Sequence, residues 1–124
     1  MILVDTSIWI DHFHNAIPLL AASLEADLIG SHDFVIQELA LGSLRNRFET
    51  LGLLANLYRF QTLTHSEIMM AIDGRKLNGR GLGAVDAHLL ATTLAERGSV
   101  LWSRDKRLKA AAEAAGVAYD EVHV

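Results

Sequence analysis

Short, mostly apolar runs recur along the chain and constrain its fold more than any other feature. They lie at residues 1–4, 28–30, 60–63, 100–102 and 117–119. Such a run reads as a strand buried on both faces, and a strand of that kind needs covering layers above and below it. The segments between the runs carry helical periodicity. Strands alternating with helices predict an α/β fold, a three-layer sandwich with a central, mostly parallel sheet flanked by helices.

The intervening helices have local signals. Thr6 and Ser7 can cap a short helix over 8–14, and a second helix falls within 19–26, near the single proline, Pro18. A third is expected over 34–44, with Ser31 or Asp33 near its start. Leu44, Phe48, Leu51, Ala55 and Tyr58 repeat at three- and four-residue spacing and predict one buried helical face. The run Thr64–Glu67 is a capping box opening a helix toward Leu77, followed by the glycine-rich loop 78–83. A helix over 85–97 should close at Gly98, and a last one, striped by Leu108, Ala111, Ala112 and Ala115, at Gly116.

The chain has 124 residues, of which 51% are hydrophobic and 21% charged, as expected of one globular domain spanning 1–124. With no cysteine there is no disulfide framework and no thiolate metal site. No stretch approaches the roughly 20 apolar residues of a membrane helix, and no signal-peptide pattern opens the chain. A cytoplasmic protein is the expectation. The net charge of −4 argues against nucleic-acid binding unless the acids are gathered around a divalent cation that reverses the local field.

The placement of the acids therefore decides the question. Asp5 ends the first apolar run, and Asp105 follows the run at 100–102. Ligands of parallel sheets bind beyond the carboxyl ends of the strands, so these two would share a crevice if their strands are neighbours. Glu38 has Phe34, Val35, Leu41 and Gly42 as its helical neighbours, an apolar face on which a carboxylate needs a partner. Asp86 lies in the first turn of a helix, above Leu90 and Thr93. Each has a plainer explanation taken singly. Asp5, Asp86 and Asp105 could be capping or first-turn residues, and Glu38 could pair with Arg45. Taken together, four carboxylates from four elements form a donor set for a hard cation such as Mg²⁺ or Mn²⁺.

The stretches "ILVDTSIWID", "VIQELALG", "GAVDAHLLATTL" and "LWSRDKRL" resemble, in order and spacing, the four acidic motifs of PIN-domain ribonucleases. The likeness is greatest to the VapC toxins of bacterial type II toxin–antitoxin systems, and it runs from residue 2 to residue 108. The resemblance implies that Asp5, Glu38, Asp86 and Asp105 are the catalytic acids. It makes Asp5 and Asp86, with Asp105, the ligands of Mg²⁺, for which Mn²⁺ can substitute. Thr6 and Ser103 match hydroxyl positions that support the carboxylates or the attacking water. It further implies an endoribonuclease acting on single-stranded or loop RNA such as tRNA or rRNA, inhibition by a VapB antitoxin, and a homodimer. Lys106 and Arg107 follow Asp105 where some relatives carry a further acid or an asparagine, a pattern compatible with one well-held ion.

Arg75, Lys76 and Arg80 precede Asp86, and Arg104, Lys106 and Arg107 surround Asp105. As clusters beside the acids they are candidates to hold an RNA backbone, with Arg75, Arg80, Arg104 and Lys106 foremost. The six histidines show no metal-ligand spacing and are expected to pack or to face solvent. Trp102 is expected in the core, and Trp9 in the core or a dimer interface. Two other classes are open to a chain of this kind. One is a receiver-like or phosphatase-like domain with Asp5 as phosphoryl acceptor, although Ser7 stands where a phosphatase would carry its second aspartate. The other is a non-catalytic module that keeps the fold for binding alone.

Overall fold

A computed structural model describes residues 1–121. Among the described residues four short strands form one sheet: β1 (Ile2–Val4), β2 (Ile29–Ser31), β3 (Tyr58–Arg59) and β4 (Val100–Trp102). Seven helices accompany them among the same residues: α1 (Thr6–His14), α2 (Pro18–Glu25), α3 (Asp33–Leu41), α4 (Arg47–Asn56), α5 (His65–Gly74), α6 (Ala84–Ala95) and α7 (Lys106–Ala114). The strand order is β3-β2-β1-β4, and every pairing is parallel. The chain thus runs outward from β1 to β3 and returns across the sheet to β4. Right-handed crossovers then place the helices of the two halves on opposite faces. The packing follows this division: α1 lies on α3 and α3 on α4, whereas α5 lies on α6 and α6 on α7. The α/β sandwich expected from the apolar runs is the fold observed.

The core is built from those runs. Leu3, Val4, Ile29, Leu101 and Trp102 are buried in the sheet, with Ile8, Trp9, Leu39, Leu54, Leu89, Leu90 and Leu108 from the helices. Trp102 packs on Tyr119, with ring centroids 4.5 Å apart. Gly30 lets β2 pass close under the following hydrophobics, since a Cβ there would meet Phe60 at 2.4 Å.

Several boundaries depart from the sequence expectations. The first helix begins at Thr6, and Asp5 itself is the cap, accepting from Ile8 N at 3.0 Å. Asp33 is the first residue of α3, as expected, with His32 as its cap, and α3 ends at Leu41 rather than 44. The third strand is Tyr58–Arg59, just before the expected 60–63, and Phe60 continues it with a hydrogen bond from its N–H to Ser31 O. The 117–119 run makes a single parallel bridge, Leu101 to Ala118, not a full strand. The expected face of the fourth helix holds only in part: Leu44 and Leu51 pack against the core, but Phe48 is 90% exposed, Ala55 is exposed, Tyr58 lies in β3, and Leu54 is the fully buried residue of the helix. The capping box is present as expected, with Glu67 N donating to Thr64 Oγ1 and Thr64 N to Glu67 Oε1, although α5 stops at Gly74, short of Leu77.

Candidate active site

Strand order places the site. The order in which strands are added reverses between β1 and β4, the topological switch point at which α/β sheets open a crevice beyond the strand ends. Val4 is paired with Trp102, so the next residues, Asp5 and Ser103, emerge side by side. The Asp5 N–H still donates to Trp102 O at 3.1 Å, which fixes the Asp5 backbone to the end of β4.

Asp5 is buried, with 5% of its surface exposed. Its Oδ1 accepts from Ile8 N at 3.0 Å and from Ser7 Oγ at 2.9 Å. The Ser103 hydroxyl stands beside the same carboxylate and favours its charged form. Ser103 also accepts from Asp105 N at 3.1 Å, so one hydroxyl links the acids that follow β1 and β4. Asp105 caps α7 through Oδ1 and Leu108 N at 3.0 Å, leaving its second oxygen outside that hydrogen bond. The plain capping explanations of Asp5 and Asp105 are therefore correct as local structure and compatible with a role in the crevice.

Asp86 enters from the first turn of α6 and is half-buried. Burial raises its carboxyl above the ordinary carboxylate range, and the charges of Asp105, Asp5 and Glu38 push it further the same way. Burial likewise raises Asp5, with the Asp105 charge adding to it, against the lowering influence of hydrogen bonds from Ser103, Ile8 and Ser7. Like charges crowded at a strand edge are the condition that a bound cation relieves.

Glu38 differs from its expectation. It is exposed, not buried on an apolar face, because α3 turns Val35 and Leu39 into the core and leaves Leu41 88% exposed. Its partner is not Arg45 but Thr6, whose hydroxyl donates to Glu38 Oε1 at 2.5 Å. Glu38 and Arg45 both line a groove of about 620 Å³ between α1, α3 and the start of α4, with Ile10, Phe13 and Leu44. As their side chains stand, no three acidic or histidine groups among the described residues converge closely enough to enclose a metal ion. The donor set of hard carboxylate oxygens nevertheless suits Mg²⁺ or Mn²⁺ in kind.

The basic residues fall into two groups. Arg75, Lys76, Arg80, Lys106 and Arg107 are exposed. The Arg107 side chain lies over Gly81 in the glycine-rich loop, where a Cβ would approach Arg107 Cδ to 2.7 Å. That contact brings the start of α7 to the loop that carries Arg80. Arg104 is engaged within the chain: its Nε is 3.0 Å from Glu121 Oε1 and its Nη1 is 3.6 Å from Asp11 Oδ2. Glu121 also accepts from Trp102 Nε1. The histidines act as expected of packing residues, with one addition that spacing does not reveal. His12 and His32 each accept a backbone N–H through Nδ1, from Ile17 and Phe34.

The PIN domain family model matches residues 2–114 of this chain. The chain belongs to the PIN-domain family. Within it, the sequence is 53% identical over 121 residues to Ribonuclease VapC32 of Mycobacterium tuberculosis, in both strain CDC 1551 / Oshkosh and strain ATCC 25618 / H37Rv. Each match covers 98% of both chains. The protein is thus a VapC-type PIN domain, and the receiver-like and phosphatase-like alternatives fall. The crystal structure of PAE2754 from Pyrobaculum aerophilum shares the fold, with a TM-score of 0.58 at 19% identity over 96% of this chain and 87% of that one.

Proposed function

We propose that this PIN domain is the toxin of a type II toxin–antitoxin system, a Mg²⁺-dependent endoribonuclease that cuts single-stranded or loop RNA. Its relatives named Ribonuclease VapC32 support the RNA substrate. The observation that carries the chemistry is the exit of Asp5 and Ser103 side by side from the paired ends of β1 and β4 at the sheet's switch point, with Asp105 tied to Ser103 through its N–H.

Asp5 and Asp86, with Asp105, would hold the ion, and modest rotation of the half-buried and exposed side chains would bring their oxygens together. A bound Mg²⁺ or Mn²⁺ would neutralise these carboxylates, draw a phosphodiester oxygen into the crevice and acidify a water. Glu38, which Thr6 orients, or Asp105 would take a proton from the attacking water. The water oxygen would bond to phosphorus as the bond from phosphorus to the 3′-oxygen breaks, the 3′-oxygen would take a proton from solvent, and the products would carry a 5′-phosphate and a 3′-hydroxyl. Ser103 holds Asp5 and the Asp105 backbone in register while this occurs. Lys106, next to Asp105 in the chain, and Arg80, in the loop that Arg107 touches, would contact the RNA backbone, whereas Arg75 lies with Leu94, Ala114 and Ala115 toward the far ends of α6 and α7 and would meet only a longer RNA.

The same reading includes a VapB-type antitoxin and a homodimer. Exposed Ile10, Phe13, Leu41 and Phe48 lie on the helices that wall the groove containing Glu38, an apolar surface suited to an inhibitory segment. Replacing Asp5 with Asn preserves an N-cap while removing the charge. The expected result is loss of RNA cleavage in the presence of Mg²⁺. Undiminished cleavage by that variant overturns the proposal.

A further inference from the structure

One buried polar side chain joins the helix that carries Glu38 to the helix that carries Asp86. His32 has 0% of its surface exposed. Its Nδ1 accepts from Phe34 N at 3.0 Å and so caps α3. A ring nitrogen that accepts carries no proton, so the neutral ring is protonated at Nε2. Nε2 lies 3.4 Å from Thr92 Oγ1 on α6, and Thr92 is itself 1% exposed. Glu38 follows His32 by six residues, and Asp86 precedes Thr92 by six.

The residue type matters. Ser, Asn or Asp would cap Phe34 N as well, but none of these short side chains can do so and also reach α6. The principal packing of α3 is on α1 and α4, and that of α6 on α5, α7 and β4. The His32–Thr92 contact and the edge-on contact of Phe34 with His88, at 4.7 Å, span the gap between α3 and α6.

We propose that His32 is a positioning residue for the carboxylate site: through Nδ1 it grips the N-terminus of α3, and through Nε2–H it grips Thr92. It thereby sets the separation of Glu38 from Asp86. This rests on the reading of those two acids as parts of one nuclease site. Residues that hold metal-site groups from behind typically cost 10–100-fold in affinity or activity when removed, and the lower end of that range applies to a contact through two helices.

The test uses His32→Asn, which keeps a cap for Phe34 N and loses the reach to Thr92, and Thr92→Val, which keeps shape and loses the hydroxyl. Each is assayed for cleavage of a fluorogenic single-stranded RNA oligonucleotide with Mg²⁺, for Mn²⁺ affinity by electron paramagnetic resonance, and for thermal stability. In both variants kcat and Mn²⁺ affinity should fall, by roughly 10-fold in His32→Asn, with KM for RNA little changed. The double variant should be no worse than His32→Asn alone, since both remove one contact. Parental kcat and Mn²⁺ affinity in Thr92→Val and His32→Asn, alongside an inactive Asp5→Asn, overturn the positioning role and leave the nuclease reading standing. Full cleavage by Asp5→Asn overturns both.

Discussion

Thr6 and Glu38 meet across 32 residues of sequence, the hydroxyl of the first donating to Oε1 of the second at 2.5 Å. Thr6 is the first residue of α1 and Glu38 lies in the last half of α3, so this bond exists only because the two helices pack together. It orients one oxygen of Glu38 and leaves the other for chemistry. Thr6→Val should lower kcat about 10-fold with little change in melting temperature, since the bond is at the surface. Thr6→Ser should restore most of the rate. Steady-state cleavage and a thermal melt of both variants measure this.

The crowded acids should cost the metal-free protein stability. Asp5 and Asp86 are both raised in the folded state, chiefly by burial, so the native protein binds their protons more tightly than the unfolded chain does. Stability from these groups is therefore greatest below the ordinary carboxylate value and declines as pH rises through the folded values. At neutral pH in a chelator, Asp86→Asn should stabilise the fold by about 1 kcal/mol while abolishing cleavage. Differential scanning calorimetry with and without Mn²⁺ reads this: the parent should gain stability from the ion, and the variant should gain less.

Histidines give the opposite slope. Burial holds His32 and His12 below the usual imidazole range; for His32 the nearby Asp33 opposes this, and His88 and Arg59 add to it. The unfolded chain takes up these protons first. Their contribution is complete above about pH 6.5 and is lost as pH falls through the folded values. Protonation at Nδ1 would also break the bonds to Phe34 N and Ile17 N. The urea midpoint should fall between pH 7.5 and pH 5.5, and His32→Asn should flatten part of that dependence.

Arg80 and Arg104 should behave differently toward RNA although both flank the acids. Arg80 is exposed, and Arg80→Ala should weaken binding uniformly across sequences and reduce the salt slope by about 0.7 per lost phosphate contact. Arg104 is already paired with Glu121 and Asp11, so Arg104→Ala should change the salt slope less. Glu121→Gln should release Arg104 and steepen the slope. Fluorescence anisotropy over a salt series, with an inactive Asp5→Asn background, separates these outcomes.

Much of this molecule is written locally. The apolar runs, the capping box Thr64–Glu67, and the turns at Gly98 and Gly116 depend on residues within a few positions of one another, and both glycines do take positive φ. Asp5 and Asp105 were legible for the same reason, since each ends a strand run. Local pattern failed where a helix offers two apolar faces. In α4 the Phe48 side of the periodicity looked like the buried one, yet the sheet lies against Leu54, and only the strand order determines which side that is. Glu38 was misplaced on the same grounds: its neighbours are apolar, but Leu41 faces outward and Thr6 supplies the partner. The link from Ser103 to Asp5 follows from the Val4–Trp102 register, and the role of His32 follows from the approach of α6. The sequence by itself determined the order of elements and which acids end strand runs or open helices, because capping, turns and strand burial act over short separations. Only the tertiary structure decided which acids are buried, which hydroxyls hold them and which arginine is already paired, because those contacts form between strands and helices that the chain brings together from far apart.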